Sequence, residues 1–349
     1  MASISTRLTE RFGSVHAFVE AGMAFAGQTA DLAIQVSRAG GIGTIGVGFM
    51  PPPELRALIV HLREELGGLP FNVNFITVFG NDEAVQVVAE EKVPIASFHW
   101  GHPPQHQLDL LREAGVSIWE QVGTTRAAVQ AVDNGIDVVI AQGWEAGGHN
   151  YGGLGLVALV PEVVDAVGDR ALVLASGGIS DARGVAAALA LGADGVWVGT
   201  RLVATLEAHV HAEHHRRILE ATGEDTIRSA VFGPEMPAFN PMRLLKVRVV
   251  EEYNTRVHEL PTEGREHLPV IGETMFLGQA HTKHKFDVIL PTPDTSGDYE
   301  EMAWLAGQGV GLIHEIKPAA EVVIDMMEGA ADVVAKLTDR SRPPIAGTP

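Results

Sequence analysis

A single histidine stands between two pairs of glycines in WEAGGHNYGG, residues 144–153, directly after the apolar run DVVIAQG. Histidine is the side chain whose ordinary pKa lets it accept a proton near neutral pH, so His149 is a candidate general base. Gly147 and Gly148 carry no side chains, so a flat ligand or another main chain can approach the loop closely. A loop histidine bonded only to main chain is the alternative, but a strand end between glycine pairs favours the base.

A second group of glycines follows the next two apolar runs. ASGGISDARG places Gly177 and Gly178 where a predicted strand turns into a helix, and ADGVWVGTRL places Gly199 and Thr200 at the next such turn. Exposed N–H groups there, with the positive end of a helix dipole, would bind a phosphate dianion. Glycines can also simply form tight turns. Their occurrence at consecutive strand ends favours a phosphate site.

Other histidine pairs are less specific. His211 and His215 are four residues apart, a spacing that could hold a metal. No HExxH pattern accompanies them, and the charged neighbours indicate a solvated helix face. His281 and His284, in HTKHK, are equally unspecific, so we predict no metal site.

Short runs rich in Val, Ile and Phe alternate with helical stretches from about residue 15 to 205, which is typical of consecutive βα units. Asp, Thr or Pro begins several of the helical stretches, and Gly ends them. The predicted strands are HAFVEAGM, GTIGVG, FNVNFI, IASFH, SIWEQV, DVVIAQG, ALVLASGG and GVWVGTRL. The predicted helices include TADLAIQVSRAG, PPELRALIVHLREELGG, NDEAVQVVAEEK, PQHQLDLLREAG, TTRAAVQAVDNG and DARGVAAALALGA.

Eight strands and eight crossovers predict an α/β protein with a closed (β/α)8 TIM barrel. A doubly wound open sheet is the alternative, but its phosphate motif would follow the first strand, whereas the glycine-rich tips here follow the last three. Barrel chemistry lies at the carboxyl ends of the strands. Trp100 and Trp144 could form a core or pocket wall as readily as contact a substrate. The remaining polar or glycine-rich strand ends are Met23, Gly48, Asn74, His99, Gln121, Gln142 and Ser176.

The composition changes after residue 205. EAHVHAEHHRRILEATG predicts a helix, the next segments are richer in Pro, Gly and charge, and MAWLAGQGVGLIHEIKPAAEVVIDMMEGAADVVAKL predicts two helices with a loop between them. We therefore predict three parts: a barrel at 1–205, a mainly helical C-terminal cap with a return helix that completes the barrel at 206–338, and a flexible tail at 339–349.

Charge and cysteine content exclude several classes of function. The chain of 349 residues has 44 acidic and 25 basic residues, a formal charge of -19, which disfavours nucleic acid and anionic membranes as partners. Any anion site must therefore be built locally, from N–H groups or a few basic side chains. The absence of cysteine excludes disulfides and a thiol nucleophile. With no apolar segment typical of a signal peptide or a spanning helix, we predict a soluble, cytoplasmic protein.

Several segments together resemble the nitronate monooxygenases, formerly called 2-nitropropane dioxygenases, which are FMN-dependent barrels. Any one segment alone is weak evidence for this family, but the order and spacing of all the segments together are specific to it. They are AGM at 21–23, SRAGGIGTIG at 37–46, PFNVNF at 70–75, SFHWGHP at 97–103, AQGWEAGGH at 141–149, ASGGI at 175–179, GVWVGTRLVAT at 195–205 and AGQGVGLI at 306–313.

The resemblance implies a cofactor, a substrate and a role for each site residue. His149 matches the catalytic histidine of these enzymes. Alkyl nitronates or nitroalkanes would be oxidised by O2 through the flavin, without NAD(P)H, to a carbonyl compound and nitrite. The partners would thus be small molecules, and a homo-oligomer is compatible with the sequence. FMN would be bound by Met23, Asn74, Gln142, Gly147, Gly148, Ser176, Gly177, Gly178, Gly199, Thr200 and Gln308.

Two features depart from the resemblance, and alternatives stay open. The closing motif of the family is closer to AGQSVGLI, so Gly309 stands where a serine would be, and residues 232–300 match poorly. An NAD(P)H-dependent flavin enoyl reductase of the enoyl-ACP reductase II type shares the barrel, the phosphate tips and the EAGGH segment. A barrel that binds flavin without catalysis is the other alternative. Inosine monophosphate dehydrogenase has similar tips but needs a cysteine.

Overall fold

The computed structural model describes residues 4–150 and 152–340. In chain order its strands are β1 (Phe18–Glu20), β2 (Gly43–Gly46), β3 (Phe71–Ile76), β4 (Ile95–His99), β5 (Ser117–Val122), β6 (Val138–Gln142), β7 (Gly148–His149), β8 (Leu172–Ser176), β9 (Gly195–Val198), β10 (Thr226–Ser229), β11 (Met242–Leu245), β12 (Val270–Phe276), β13 (Gln279–His284) and β14 (Ser296–Gly297).

The helices surround these strands. They are α1 (Arg7–Phe12), α2 (Ala30–Arg38), α3 (Pro52–Leu66), α4 (Asp82–Glu90), α5 (Gln105–Glu113), α6 (Thr125–Asp133), α7 (Leu156–Val167), α8 (Ala182–Ala190), α9 (Thr200–Val203), α10 (Ala212–Glu220), α11 (Arg248–Tyr253) and α12 (Ala319–Arg340). Single 3-10 turns occur at Gly223–Asp225, Pro237–Phe239, Val257–Glu259, Arg265–His267, Tyr299–Glu301 and Gln308–Leu312.

Eight parallel strands form one sheet in the order β1-β9-β8-β6-β5-β4-β3-β2. A parallel bridge between Val19 and Ile42 joins its two ends. There the Glu20 N–H donates to the Ile42 carbonyl, and the Ile42 N–H donates to Phe18, each over 2.9 Å. The predicted TIM barrel is therefore confirmed. Its strands are nearly all buried, as expected where helices cover a parallel sheet.

The helix at the eighth position of the barrel comes from the C-terminal part of the chain. α9 has only four residues, so the GTRL end of the last predicted strand is helical instead. The chain then runs through the segment 206–318 and returns as α12, which packs against α8 and α2. Only α12 and a 3-10 turn form where two helices were predicted after Met302. α12 includes residues 339 and 340, and the rest of the predicted tail lies outside the described residues.

Two small antiparallel sheets were missed by the sequence analysis of the cap. β10, β11 and β7 form one of them, and β13, β12 and β14 form the other. They accompany the helical elements α10, α11 and the 3-10 turns. Buried apolar residues form a barrel cluster that includes α12 and a separate cluster centred on residues 203–313. A domain boundary at residue 205 stays a prediction.

Candidate active site

A cleft opens at the carboxyl ends of the barrel strands, with an empty volume of about 1620 Å³ including its mouth. The tips that were predicted separately from the sequence meet there. The lining includes Met23, Gly48, Asn74, His99, Gln121, Gln142, Gly147, Gly148, His149, Ser176, Gly177, Gly178, Gly199 and Thr200.

Gln308 is the one proposed binding residue that the structure places outside this lining. Its side chain is exposed, and its main-chain N–H donates to the Glu145 carbonyl over 2.8 Å. In the described structure Gln308 thus ties the 3-10 turn at Gln308–Leu312 to the loop that carries His149. A direct contact with a cofactor stays a prediction.

His149 is held on both sides by main-chain bonds. It forms β7 with Gly148 and pairs with Met242 of β11, so the cap fixes its position. From the barrel, the Gln142 side-chain amide donates to the His149 carbonyl over 3.0 Å. Gly148 has φ +71°, which most side chains adopt only under strain, and this turns the chain toward the cleft.

Aromatic rings enclose the His149 side chain. The Phe239 ring lies 3.6 Å from it between centroids, and the Trp100 ring lies 5.6 Å away. The buried Nε2 atom has no hydrogen-bond partner among the described residues. Burial lowers the pKa of His149 to about 3, with a smaller contribution from His99. His149 is therefore neutral at pH 7, with one polar atom left for a ligand.

Trp100 connects the barrel to the cap instead of lining the cleft. Its φ is +73°, a conformation that a tryptophan adopts only when its surroundings impose it. The indole N–H donates to the Ala238 carbonyl over 2.5 Å, and its ring lies 5.9 Å from that of Phe239. Trp100 thus fixes the cap segment whose phenylalanine covers His149. Trp144 lies elsewhere, against the guanidinium groups of Arg228 and Arg243.

Two further histidines line the cleft in their neutral form. Burial lowers the pKa of His99 to about 4, opposed by a hydrogen bond to the main chain of His149, and its Nδ1 lies 2.8 Å from the Gln121 amide nitrogen. Burial also lowers the pKa of His214 to about 4, and its Nε2 lies 3.0 Å from the Leu305 carbonyl oxygen. Neither supplies a positive charge at pH 7.

The glycines after β8 and β9 leave main-chain donors free. Gly177 and Gly178 have φ +112° and +69°, which turns the chain sharply. The N–H groups of Gly178 and Gly199 donate to no acceptor within the described residues. Thr200 Oγ1 accepts the Gly307 N–H over 2.9 Å, so its own proton is available to donate. Main-chain and hydroxyl donors of this kind can bind an anion without a basic side chain.

The sequence analysis expected the N-terminus of the helix after Gly177 and Gly178 to help bind a phosphate. The structure corrects this expectation. α8 begins at Ala182, and the Asp181 carboxylate caps it by accepting the N–H groups of Arg183 and Gly184. Those first-turn donors are therefore already occupied, and the cap itself is negative. An anion bound here would have to depend on the loop amides before the helix.

Gly309 is required by close packing. A Cβ atom there would lie 2.4 Å from Ser180 Oγ and 2.6 Å from the Gly178 carbonyl oxygen. A serine at this position would have to displace both the Ser180 side chain and the Gly178 main chain. The Ser180 hydroxyl lies where the side chain of a serine at residue 309 would begin.

Amide side chains on neighbouring strands form a polar floor. Asn74 and Asn72 both donate to the Ser97 hydroxyl oxygen, each over 2.8 Å, which orients their side chains. Gln142 Oε1 is buried and has no partner among the described residues. An amide oxygen of this kind is an unused acceptor for a donor on a bound molecule.

The cap supplies most of the wall that sequence reasoning missed. His214 also lines the cleft, whereas the pair singled out from the sequence does not. His214 and Ile218 are four residues apart on the buried face of α10, a spacing that could have identified it. The apolar cap residues of the wall include Met236, Phe239, Met242, Val288, Ile289 and Leu290.

The other histidines form hydrogen bonds within the protein. His211 Nδ1 accepts the Glu213 N–H over 3.0 Å at the start of α10, and His215 Nε2 lies 2.9 Å from the Val203 carbonyl oxygen. His281 contacts Asp287 over 2.7 Å, and His284 Nδ1 lies 2.9 Å from the Leu268 carbonyl oxygen. Residues 4–150 and 152–340 contain no group of three or more histidines and carboxylates placed to hold a metal.

Comparisons with known proteins place this site in a family. The sequence profile described as "Nitronate monooxygenase" matches residues 63–329, which is more than half of the chain. The chain belongs to the nitronate monooxygenase family. Its resemblance to that family is thereby confirmed, and the chain is an enzyme of the oxidoreductase class.

Similar solved structures cover nearly the whole chain, and a curated relative covers about three quarters of it. A "Probable nitronate monooxygenase" from Staphylococcus saprophyticus subsp. saprophyticus is 30% identical over 307 residues, 74% of this chain and 83% of that protein. FabK from Thermotoga maritima is 33% identical with a TM-score of 0.78, over 97% of this chain and 100% of its own. A nitroalkane oxidase from Streptomyces ansochromogenes is 26% identical with a TM-score of 0.76, over 95% and 99%.

No helix in the described parts of the chain is both long enough and apolar enough to cross a bilayer.

The three cleft histidines predict sensitivity to acid. Because their pKa values are lowered in the folded state, their contribution to stability is complete above the unfolded value of about 6.5 and is lost as the pH falls toward 4. Each contributes up to about 1.4 kcal/mol per pH unit in that window. We expect His214→Gln, which retains a donor for the Leu305 carbonyl, to flatten the pH dependence of the free energy of unfolding by one proton. Free energies of unfolding can be measured by urea titration between pH 4 and 7. The expectation would be contradicted if they depended on pH equally in the variant and in the unmodified protein.

Proposed function

We propose that this enzyme binds FMN and uses O2 to oxidise alkyl nitronates to a carbonyl compound and nitrite. The observation that carries the proposal is the position of His149. Its unpartnered Nε2 lies in a cleft that has free main-chain donors at one end and an apolar wall at the other. Membership of the nitronate monooxygenase family supports the same reaction.

The described residues fit the phosphate of FMN. Free N–H groups of Gly178 and Gly199, with the Thr200 hydroxyl, are suited to a phosphate dianion in a chain of strong negative charge. Gly307 and Gly309 pack on this site so closely that a Cβ atom at 309 would lie 2.6 Å from the Gly178 carbonyl oxygen.

The amide side chains of the polar floor would hold the ring of the flavin. Gln142 Oε1 is an unused buried acceptor, and Asn74 is oriented by Ser97. Met23 lines the same end of the cleft beside Gly46, where a Cβ would lie 2.6 Å from the Met23 carbonyl. Bound FMN would supply the redox chemistry between the substrate and O2.

The protein itself orients the substrate, excludes water and provides a proton site. The rings of Phe239 and Trp100 enclose His149 and restrict the access of solvent. We assign His149 as the general base, acting through Nε2. A pKa of about 3 makes it a weak base, because catalysis by a base is most efficient when its pKa is near the working pH. Nitronates are already deprotonated, so no base has to remove a proton from them. They are therefore the favoured substrates.

An NAD(P)H-dependent enoyl reductase is the second candidate. FabK, an enoyl reductase, is more similar in sequence to this chain than the nitroalkane oxidase, at 33% against 26% identity. An acidic carrier protein would need a basic docking surface on the enzyme, and the charge of -19 disfavours that. A cytoplasmic location and a homo-oligomer stay predictions alongside either reaction.

The role of His149 is tested by its removal. We expect His149→Ala to keep its flavin and to lower the rate on neutral nitroalkanes by about 10²- to 10⁴-fold, the usual contribution of a positioned base. Rates on preformed nitronates should fall by less than roughly tenfold, because no proton has to be removed. Steady-state oxygen consumption with matched nitroalkane and nitronate pairs measures both.

His267→Ala is the control, since this cap histidine has 83% of its side-chain surface exposed and should leave both rates unchanged. If His149→Ala lowered the rates on the nitroalkane and on the nitronate by the same factor, His149 would not act as a base.

The phosphate site is tested by Gly178→Val. A side chain there is strained at φ +69° and would bring a Cβ within 3.1 Å of Glu145 Cβ, beside the free N–H group. Gly115→Val is the matched control, with φ +77° and open space around it, away from the cleft. Both variants should lose a similar amount of stability. Only Gly178→Val should bind flavin at least roughly tenfold more weakly, as measured by flavin and protein absorbance after gel filtration. Full flavin content in a folded Gly178→Val protein would contradict the assignment.

A further inference from the structure

The cleft lacks side chains that are charged at neutral pH. None of the described lining residues is Asp, Glu, Lys or Arg. Its titratable groups are His99, His149 and His214, whose pKa values of about 4, 3 and 4 leave them neutral. An anionic group on a substrate would therefore meet only dipoles from amides and main chain.

Those dipoles are concentrated at the barrel end of the cleft. Asn74, Gln121 and Gln142 belong to strands β3, β5 and β6, and the free N–H groups follow β8 and β9. The cap side is apolar, with Met236, Met242, Val288, Ile289 and Leu290 facing the same space. Because bound FMN would use these dipoles, the space left to a substrate is bounded mainly by the apolar cap side of the cleft.

A row of aromatic rings leads from the surface to the catalytic histidine. We define the aromatic track as Phe49, Phe79 and Phe239. The first two ring centroids are 4.6 Å apart, the next two are 5.2 Å apart, and Phe239 lies 3.6 Å from His149. Phe49 is 41% exposed, so the track begins at the solvent boundary. Apolar surface that continues from a cleft to the exterior is typical of a site for an extended apolar ligand.

The buried cation behind the cap wall is already neutralised. Lys283 is fully buried, and its ammonium group donates to the carbonyl of Ile289, a lining residue. Its nitrogen lies 3.7 Å from the Asp287 carboxylate, which also contacts Arg265 and His281. These charges compensate one another behind the wall. They provide no partner for a substrate carboxylate inside the cleft.

We propose that the cleft selects nitronates with a long, uncharged apolar chain and rejects those with a second anionic group such as a carboxylate. The inference rests on the proposed function and names its substrate class. Each methylene moved from water onto the aromatic track is stabilising. A carboxylate in the same place would be desolvated without a counter-ion, which is costly.

Substrate series test this selectivity. For primary nitronates from ethyl to hexyl, kcat/KM should rise by roughly fourfold per methylene, the value expected for full burial of each group. Propionate 3-nitronate should be poorer than butyl nitronate by a factor on the order of a hundred, owing to its unpaired carboxylate. A flat or falling series, or equal rates for the charged and uncharged substrates, would overturn the proposal.

A charge introduced on the track should weaken the discrimination against the charged substrate. Phe49→Arg places a guanidinium at the exposed end of the aromatic track, and propionate 3-nitronate should then gain at least roughly tenfold in kcat/KM relative to butyl nitronate. Val78→Arg is the matched control, since Val78 is 48% exposed, adjoins Phe79 in sequence and does not line the cleft. It should leave the ratio unchanged. Equal shifts in both variants would indicate a general effect of charge and would overturn the proposal.

Binding without turnover separates this inference from the proposed function. Dissociation constants of 1-alkanols and of alkanoates of equal length can be measured from perturbation of the flavin absorbance. Alkanol affinity that rises with chain length, with weaker binding of the alkanoates, would support the inference even if no nitronate were oxidised. Turnover of nitronates without any chain-length trend in binding or rate would overturn the inference alone.

Discussion

The site depends on a contact between main chains that leaves no room for side chains. The loop with His149 and the segment 306–309 meet so closely that a Cβ on Gly147 would lie 2.6 Å from the Gly307 nitrogen. A Cβ on Gly307 would in turn lie 2.8 Å from the Glu145 carbonyl. The Gln308 N–H donates to that same carbonyl, and the Gly307 N–H donates to Thr200. Glycine at these positions lets a distant part of the chain close over the barrel.

That contact determines the surroundings of His149. Because residues 306–309 are fixed to the barrel, the cap strands before them can pair with β7 and set the position of His149 from the far side. The same cap carries Phe239 over the imidazole, while Trp100 joins the barrel to it through Ala238. Burial between two structural parts then lowers the pKa of the histidine and leaves Nε2 free for a ligand.

Barrel strands and their tips were predictable because parallel strands are short, buried runs of Val, Ile and Phe. FNVNFI, IASFH and SIWEQV agree with β3, β4 and β5 residue for residue. The cap was harder to predict. β13 is QAHTKH, a polar stretch that becomes a strand only through its pairing with β12, so local composition could not identify it. His211 and His215 drew attention by their spacing, whereas burial decides that His214 lines the cleft. Gln308 turns outward because its main chain makes the contact.

The most direct test of the central claim is anaerobic mixing of the purified enzyme with butyl nitronate while the flavin absorbance is followed, with no NAD(P)H present. The proposed reaction predicts bleaching of the flavin by the nitronate alone and recovery of the absorbance when O2 is admitted. A flavin that stays oxidised with the nitronate and bleaches only when NAD(P)H is added would contradict nitronate oxidation and favour the reductase.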